Sequence, residues 1–209
     1  ARARARAQAD QLTRTVMLTL YFAPGSSSMA VHIALHEIGL PFEARPLSFA
    51  KGETREPAFL AINPHGKVPT LLIDGRPLTE TAAILYYLAR RHPEAGLWPE
   101  DDIEAQAQAV SWMSYIASTL HPARRLGLQH ALEIYAAADQ RLGDQPWVLS
   151  RYSIADIHLF RLFWRFSGSL HPPRETFPNL YAHLDRMLAR PAVQKTLQAE
   201  AAIGYELPA

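Results

Sequence analysis

The stretch NPHGKVPTLLIDGRPLTETAAILYYL, residues 63–88, holds the most specific constraints on the fold. Within it, the apolar run 70–73 leads directly into the dipeptide Asp74-Gly75. Asp-Gly between two short runs favours a tight turn that joins antiparallel strands. The stretch therefore predicts a hairpin, with its second strand at residues 76–78.

A helix is predicted to follow the hairpin over residues 82–91. Residues 79–81, Thr-Glu-Thr, place side-chain oxygens and an acid where the helix would begin. Ile84, Leu85 and Leu88 lie on one helical face, and the two arginines at 90 and 91 suit the negative end of the helix dipole.

The dipeptide Val68-Pro69 stands at the head of the first hairpin strand. Proline cannot donate a ladder hydrogen bond, so its place there needs a reason. It is either an ordinary trans proline of an edge strand or a cis peptide that leaves the Val68 N–H and C=O free for an extended ligand. The residues alone leave both open, and trans is the commoner form.

Composition narrows the classes of function. The chain has 209 residues, is 48% hydrophobic and contains no cysteine. Disulfides, thiolate metal sites and a cysteine nucleophile are thereby excluded, so any thiol chemistry must use a thiol that a ligand brings. We expect a cytoplasmic protein, because no apolar run reaches the roughly 20 residues of a membrane span and the first residues lack the apolar core of a secretory signal.

Charge is unevenly distributed. Residues 1–16 carry four arginines and one aspartate, whereas residues 17–209 carry 17 basic and 19 acidic side chains. The larger part is therefore not a nucleic-acid binder by charge. Alternating Ala and Arg have too little apolar area to pack, so residues 1–16 are predicted to be a flexible basic extension. The alternative is a basic arm for nucleic acid or acidic lipid.

The elements before the hairpin alternate between strand and helix. We predict them at residues 17–22, 29–38, 41–47 and 51–61. The resulting order β-α-β-α-β-β-α is the thioredoxin-like arrangement, in which a parallel crossover precedes an antiparallel hairpin. Residues 17–91 therefore form a predicted α/β domain, here called the first half.

The remaining chain is predicted to be all-α. Residues 92–100, rich in Pro and Gly, read as the linker, and residues 101–209 as a helical domain, here called the second half. Its Ser153-Ile154-Ala155-Asp156 is typical of a capping box at a helix start. The helices are expected at about 101–120, 126–142, 157–166, 178–188 and 191–202.

Five sequence markers in this order, LYFAPGSSS, NPHGKVPTL, TETAAILYYLA, GLWP and SIADI, resemble the cytosolic glutathione S-transferase superfamily from residue 17 to the C-terminus. The resemblance implies the glutathione S-transferase architecture, in which a thioredoxin-like α/β domain precedes an all-α domain. It also implies a cis Val68-Pro69 bond and a homodimer. It implies glutathione as co-substrate, without a metal, and attack of its thiolate on small hydrophobic electrophiles.

The resemblance also assigns the glutathione contacts. The backbone of Val68, before Pro69, would pair with the cysteinyl unit, and Glu80 and Thr81 would bind the γ-glutamyl end at a helix N-terminus, which favours anions. Lys67, and second to it His65, would reach the glycine carboxylate. Without the resemblance, Glu80 and Thr81 read as a solvated acid and a helix cap.

Thiol activation is assigned to the loop Gly25-Ser26-Ser27-Ser28. Among bacterial members the chain looks most like the beta class, but Phe22 stands at that class's tyrosine and Ser27 at its cysteine. Tyr21, one residue off, should face the opposite side of the strand. Ser27 is the first candidate and Ser26 the second; alternatively, all three serines cap the helix.

The electrophile pocket is assigned to Ser114, Ser118 and His121, which fall where the beta class has polar residues. Pro122 replaces a lysine typical there, and His121 could instead satisfy the helix C-terminus. His32 and His36 are spaced as two metal ligands on one helical face, but no third ligand is placed by sequence, so no metal site is predicted.

Two alternatives to a general transferase remain open. One is a glutathione-dependent isomerase, dehalogenase or ether-cleaving lyase, which would use the same thiol on a narrower substrate. The other is a non-catalytic binding or adaptor protein of the same fold, for which the absent tyrosine and cysteine speak.

Overall fold

The computed structural model describes residues 16–206. The predicted extension, residues 1–16, therefore lies outside the described residues except for Val16, and so do residues 207–209. No helix between residues 16 and 206 is long and apolar enough to cross a membrane.

A four-stranded mixed sheet forms the first half. Its strands are β1 Leu18–Phe22, β2 Glu43–Pro46, β3 Thr70–Ile73 and β4 Arg76–Thr79, in the order β2-β1-β3-β4. β1 pairs with β2 in parallel and with β3 antiparallel, and β3 pairs antiparallel with β4. The predicted parallel crossover and antiparallel hairpin are both confirmed.

The first half contains the helices α1 Ser28–Ile38, α2 Pro57–Leu60 and α3 Thr81–Arg91. Gly39 ends α1 in the left-handed conformation. The single helical stretch predicted over residues 51–61 is wrong. Pro57 holds Glu56 extended, because proline disfavours helical backbone in the residue before it. A short 3₁₀ turn, Glu53–Arg55, therefore precedes α2.

The second half is helical, as predicted. α4 Ile103–Tyr115 continues as a π-helical turn, Ile116–Leu120, and a 3₁₀ turn at Ala123–Leu126 follows Pro122. Ser153 and Asp156 form the predicted capping box, and the helix they open begins earlier and ends later than expected. The helices after α4 are α5 Leu128–Leu142, α6 Ile154–Leu170, α7 Pro178–Leu188 and α8 Pro191–Ile203.

Helix α1 packs against elements of both halves. It contacts β1 and α3 of the first half and α6 and α8 of the second. Its side chains at Met29, Ala30, Ile33 and Ala34 are fully buried. All residues from 28 to 35 are buried, so this part of α1 is enclosed on all sides by the two halves, and the N-terminus of α1 lies where they meet.

Candidate functional site

The loop before α1, residues 23–28 and here called the serine loop, uses two of its three hydroxyls internally. Ser28 Oγ accepts from the Ala23 N–H and donates to the Ala23 C=O, both at 3.1 Å. Ser26 Oγ lies 2.7 Å from Ser28 Oγ and accepts from the Ser28 N–H. Both side chains are buried, so neither hydroxyl is available to a ligand without breaking the loop.

Ser27 differs from its two neighbours. It is the N-cap residue of α1, its side chain makes no capping hydrogen bond, and it is half-buried. Its Oγ lies 3.4 Å from His121 Nδ1, just after the π-helical turn. The alternative that all three serines only cap the helix therefore does not describe Ser27.

His121 is a neutral imidazole at neutral pH. Burial, followed by the charges of Arg161, Arg125 and Lys67, lowers its pKa to about 4. Apart from burial, every group that shifts the pKa of His121 is a cation. The neighbourhood of Ser27 therefore has a positive electrostatic potential. Lys67 is among the charges that lower the pKa of His121. The loop predicted to hold the glycine carboxylate therefore lies on this side of the molecule.

The loop before β3 is fixed by a buried side chain that the sequence reading missed. Asn63 Nδ2 donates to the Lys67 C=O at 2.8 Å and to Thr70 Oγ1 at 3.0 Å, and its Oδ1 accepts from the His65 N–H. The Val68-Pro69 bond is cis, as the resemblance implied. Among the described residues, the Val68 N–H and C=O have no recorded hydrogen-bond partner. In the sequence, the one signal for this arrangement was an Asn seven residues before the Thr that begins β3.

Gly66, in the same loop, is required by the backbone. Its φ is 60°, and an added Cβ would lie 2.6 Å from the Thr54 carbonyl oxygen. No side chain fits there without movement of backbone. The 3₁₀ turn that contains Thr54 thereby sets the position of the loop that precedes Val68.

Glu80 and Thr81 stand at the start of α3. Glu80 has φ 68° and ψ 120°, a conformation rare for residues with a side chain, and its carboxylate is exposed. Strained backbone of this kind is concentrated at ligand sites. Thr81 is the first helical residue, where the free backbone N–H groups of a helix start can donate hydrogen bonds to an anion.

The remaining predicted site residues are less engaged. Ser114 and Ser118 are exposed, and the recorded hydrogen bond of Ser118 is to Thr119 at 3.3 Å, not to the serine loop. His65 is also exposed.

The histidine pair on α1 has a structural role. His32 Nδ1 donates to Glu200 Oε1 at 2.9 Å, and His36 Nδ1 lies 2.9 Å from Thr196 Oγ1, so both hold α8. In the part of the chain that the structure describes, no group of three His, Cys, Asp or Glu side chains could hold a metal ion.

Gly25 is held from the second half by two buried side chains. Glu200 of α8 accepts the Gly25 N–H at 2.6 Å, and Arg161 of α6 donates to the Gly25 carbonyl oxygen from Nη2 at 2.9 Å and Nε at 3.2 Å. Neither residue was predicted. Arg161 lies 136 positions and Glu200 175 positions from Gly25, and no local motif connects them to it.

Comparison with known families accounts for both halves of this arrangement. Residues 16–90 match the glutathione S-transferase N-terminal domain, and residues 102–191 match the glutathione S-transferase C-terminal domain. The chain belongs to the glutathione S-transferase family. This confirms the resemblance drawn from the five sequence markers, and the two-part glutathione S-transferase architecture with it.

Curated relatives match this transferase chain over most of its length. Glutathione S-transferase GstA of Escherichia coli O157:H7 is 32% identical over 203 residues, covering 88% of this chain and 98% of the relative. A maleylacetoacetate isomerase of Pseudomonas aeruginosa is 29% identical over 196 residues, covering 81% and 90%.

Solved structures of transferases superpose on this chain. A glutathione transferase homologue from Sulfitobacter with bound glutathione is 36% identical with a TM-score of 0.77, covering 88% of this chain and 99% of the other. A beta-class glutathione S-transferase from Sphingomonas chungbukensis is 34% identical with a TM-score of 0.76, covering 87% and 98%.

Proposed function

We propose that this protein is a glutathione transferase that joins the thiolate of glutathione to small hydrophobic electrophiles, with Ser27 as the thiol partner. The observation that carries the proposal is the hydroxyl of Ser27, whose recorded partner is the His121 ring and not a group of its own loop. It lies at the junction of the halves, at the N-terminus of α1, while the other two loop hydroxyls bond within the loop.

A specific proton arrangement follows from the geometry. If neutral His121 carries its proton on Nδ1, it donates to Ser27 Oγ, and the serine hydroxyl is then oriented to donate to the sulfur of glutathione. That bond, with the dipole of α1, favours the thiolate over the thiol. The thiol proton leaves to solvent, the thiolate forms a C–S bond with the electrophile, and the leaving group departs with the bonding electrons.

The glutathione backbone is proposed to lie across the first half. The unpaired N–H and C=O of Val68 would pair with the cysteinyl unit, and Lys67 would bind the glycine carboxylate. The γ-glutamyl carboxylate would bind at the N-terminus of α3 through Thr81, with Glu80 facing the α-ammonium. Three anchors spread along the peptide in this way fix the position of its sulfur.

A narrower activity is the second candidate. The Pseudomonas aeruginosa relative is called a maleylacetoacetate isomerase, and a glutathione-dependent isomerase would use the same thiolate on one substrate class. A cytoplasmic homodimer is proposed on the family's precedent. A non-catalytic adaptor is the least supported alternative, because an adaptor has no need of a serine hydroxyl paired with a neutral histidine at the start of α1.

Retention on a glutathione matrix, followed by turnover of chlorodinitrobenzene, separates these functions. Binding with turnover is expected; binding without turnover favours the isomerase, and no retention contradicts both enzymes.

Ser27→Ala should lower kcat/KM about 100-fold. Ser26→Ala is the matched control and should keep activity within a few-fold, at some cost in stability. Equal effects of both variants would contradict the role of Ser27.

A further inference from the structure

Arg161 is a buried cation without a recorded carboxylate partner. Only 7% of the residue is exposed, and its hydrogen bonds among the described residues go to the Gly25 carbonyl oxygen. It forms no ion pair within 4 Å in residues 16–206. Burial lowers its pKa to about 10, so it stays charged at neutral pH.

The groups around Arg161 do not neutralise it. The acidic side chain in range is Glu200, which is already engaged by His32 and the Gly25 N–H. The other titratable groups that act on it or on which it acts are neutral or cationic at neutral pH: Tyr135 of α5, Arg165 of α6, Arg124, His121 and His158.

Keeping an unpaired guanidinium inside a protein is costly, whereas a neutral donor would suffice to hold one carbonyl oxygen. A charge retained at such a cost, and bonded to the loop that carries Ser27, suits the binding of an anion at that loop. The anion that the proposed reaction generates is the thiolate of glutathione.

We propose that Arg161 is the positioning residue for thiol activation: its guanidinium fixes the Gly25 carbonyl, and so Ser27 two residues later, while its charge favours the bound thiolate. The inference rests on the proposed function. Gly25 has φ 72°, a region in which glycine moves easily, so an external restraint on its peptide groups has a direct effect on where the following residues point. The two donated hydrogen bonds from Arg161 supply that restraint on the C=O side.

The test is a titration of enzyme-bound glutathione, with thiolate absorbance as the readout and kcat/KM measured across pH. Arg161→Met should raise the pKa of the bound thiol by about one unit, the size expected for loss of a nearby opposite charge. Below that pKa, kcat/KM should fall about tenfold, and it should recover at high pH. Arg161→Lys keeps the charge and one donor, and should restore most of the shift.

Arg165→Met is the matched control. It removes the same charge one helical turn further along α6, from a residue with no recorded hydrogen bond to Gly25 among the described residues, and should leave the thiol pKa unchanged. If Arg161→Met binds glutathione with the wild-type thiol pKa, the proposal is overturned even when thermal stability falls. Should that variant not fold, Arg161→Gln, which retains a donor without charge, is read by the same titration.

Failure of the proposed function has a different signature. Wild-type protein that does not bind glutathione overturns both proposals at once. Wild-type activity that depends on Ser27 but not on Arg161 overturns only the inference made here.

Discussion

Residues 63–81 and the serine loop, residues 23–28, are held in opposite ways. In the first, the side chain of Asn63 bonds to groups four and seven residues away, and the hairpin turn sets the approach to α3. In the second, hydrogen bonds within the loop are joined by contacts from 94 to 175 residues away, through His121, Arg161 and Glu200. The stretch proposed to bind glutathione is thus built locally, whereas the loop proposed to activate the thiol also depends on contacts from the docked second half.

The largest effect is expected when the long-range contacts are broken. Glu200→Ala leaves the Gly25 N–H and His32 Nδ1 without their recorded acceptor in a fully buried place. Loss of one partner from such a buried set costs about 3 kcal/mol, which urea unfolding would measure. Because Gly25 precedes Ser27, kcat should fall more than the affinity for glutathione does.

Glu200→Gln is the control for this prediction. Its amide oxygen still accepts from the Gly25 N–H, and its amide nitrogen donates to an unprotonated His32 Nδ1, so the loss should be about 1 kcal/mol. A lowered glutathione affinity with unchanged kcat in Glu200→Ala would contradict the division between the two regions.

A smaller effect is expected inside the locally built stretch. Gly66→Ala puts a Cβ 2.6 Å from the Thr54 carbonyl oxygen at φ 60°, and should lower the free energy of unfolding by about 2 kcal/mol. Because the loop leads to Val68, glutathione binding measured by calorimetry should weaken while the thiol pKa stays constant.

Gly75→Ala separates steric overlap from backbone strain. Gly75 has φ 79° with nothing within 4 Å of its added Cβ, so only the conformational cost of about 1 kcal/mol remains. Equal losses in the two variants would show that the close approach to Thr54 contributes nothing.

The same division explains what the sequence could predict. The hairpin and the start of α3 lie within a few residues of their signals, and both are confirmed. The cis Val68-Pro69 bond, which the residues alone left open, was implied by the family resemblance and is also confirmed. The sequence placed three serines in one loop, and only alignment with the beta-class pattern ranked them as candidates for thiol activation. The ranking came from hydrogen bonds in which Ser26 and Ser28 bond to each other, while Ser27 faces a histidine 94 residues away.

Arg161 and Glu200 show why the remainder was out of reach. Charged side chains are ordinarily solvent-exposed, and both of these are buried where they contact the other half of the molecule. The helical stretch 51–61 failed for the opposite reason. Pro57, which interrupts the helix, was visible in the sequence, but the helical composition of the surrounding residues favoured one continuous helix.

A further effect depends on pH, and it too should belong to the junction. His158 of α6 is 2% exposed, its Nδ1 has no partner in the described structure, and burial, then His121 and Arg161, lower its pKa to about 3. Between about pH 6.5 and 3 the unfolded chain binds a proton there that the native protein does not. Native stability therefore falls as pH falls through this window, by at most about 1.4 kcal/mol per pH unit from this group.

His158→Leu should flatten that acid limb, as measured by urea unfolding at several pH values between 4 and 6.5. It removes a buried imidazole nitrogen that bonds to nothing recorded, so stability at pH 7 should change little. His65→Gln, in the locally built stretch, is the matched control, because its ring is exposed to water. An equal flattening by both variants would mean that acid sensitivity is spread over the chain rather than concentrated where the two halves meet.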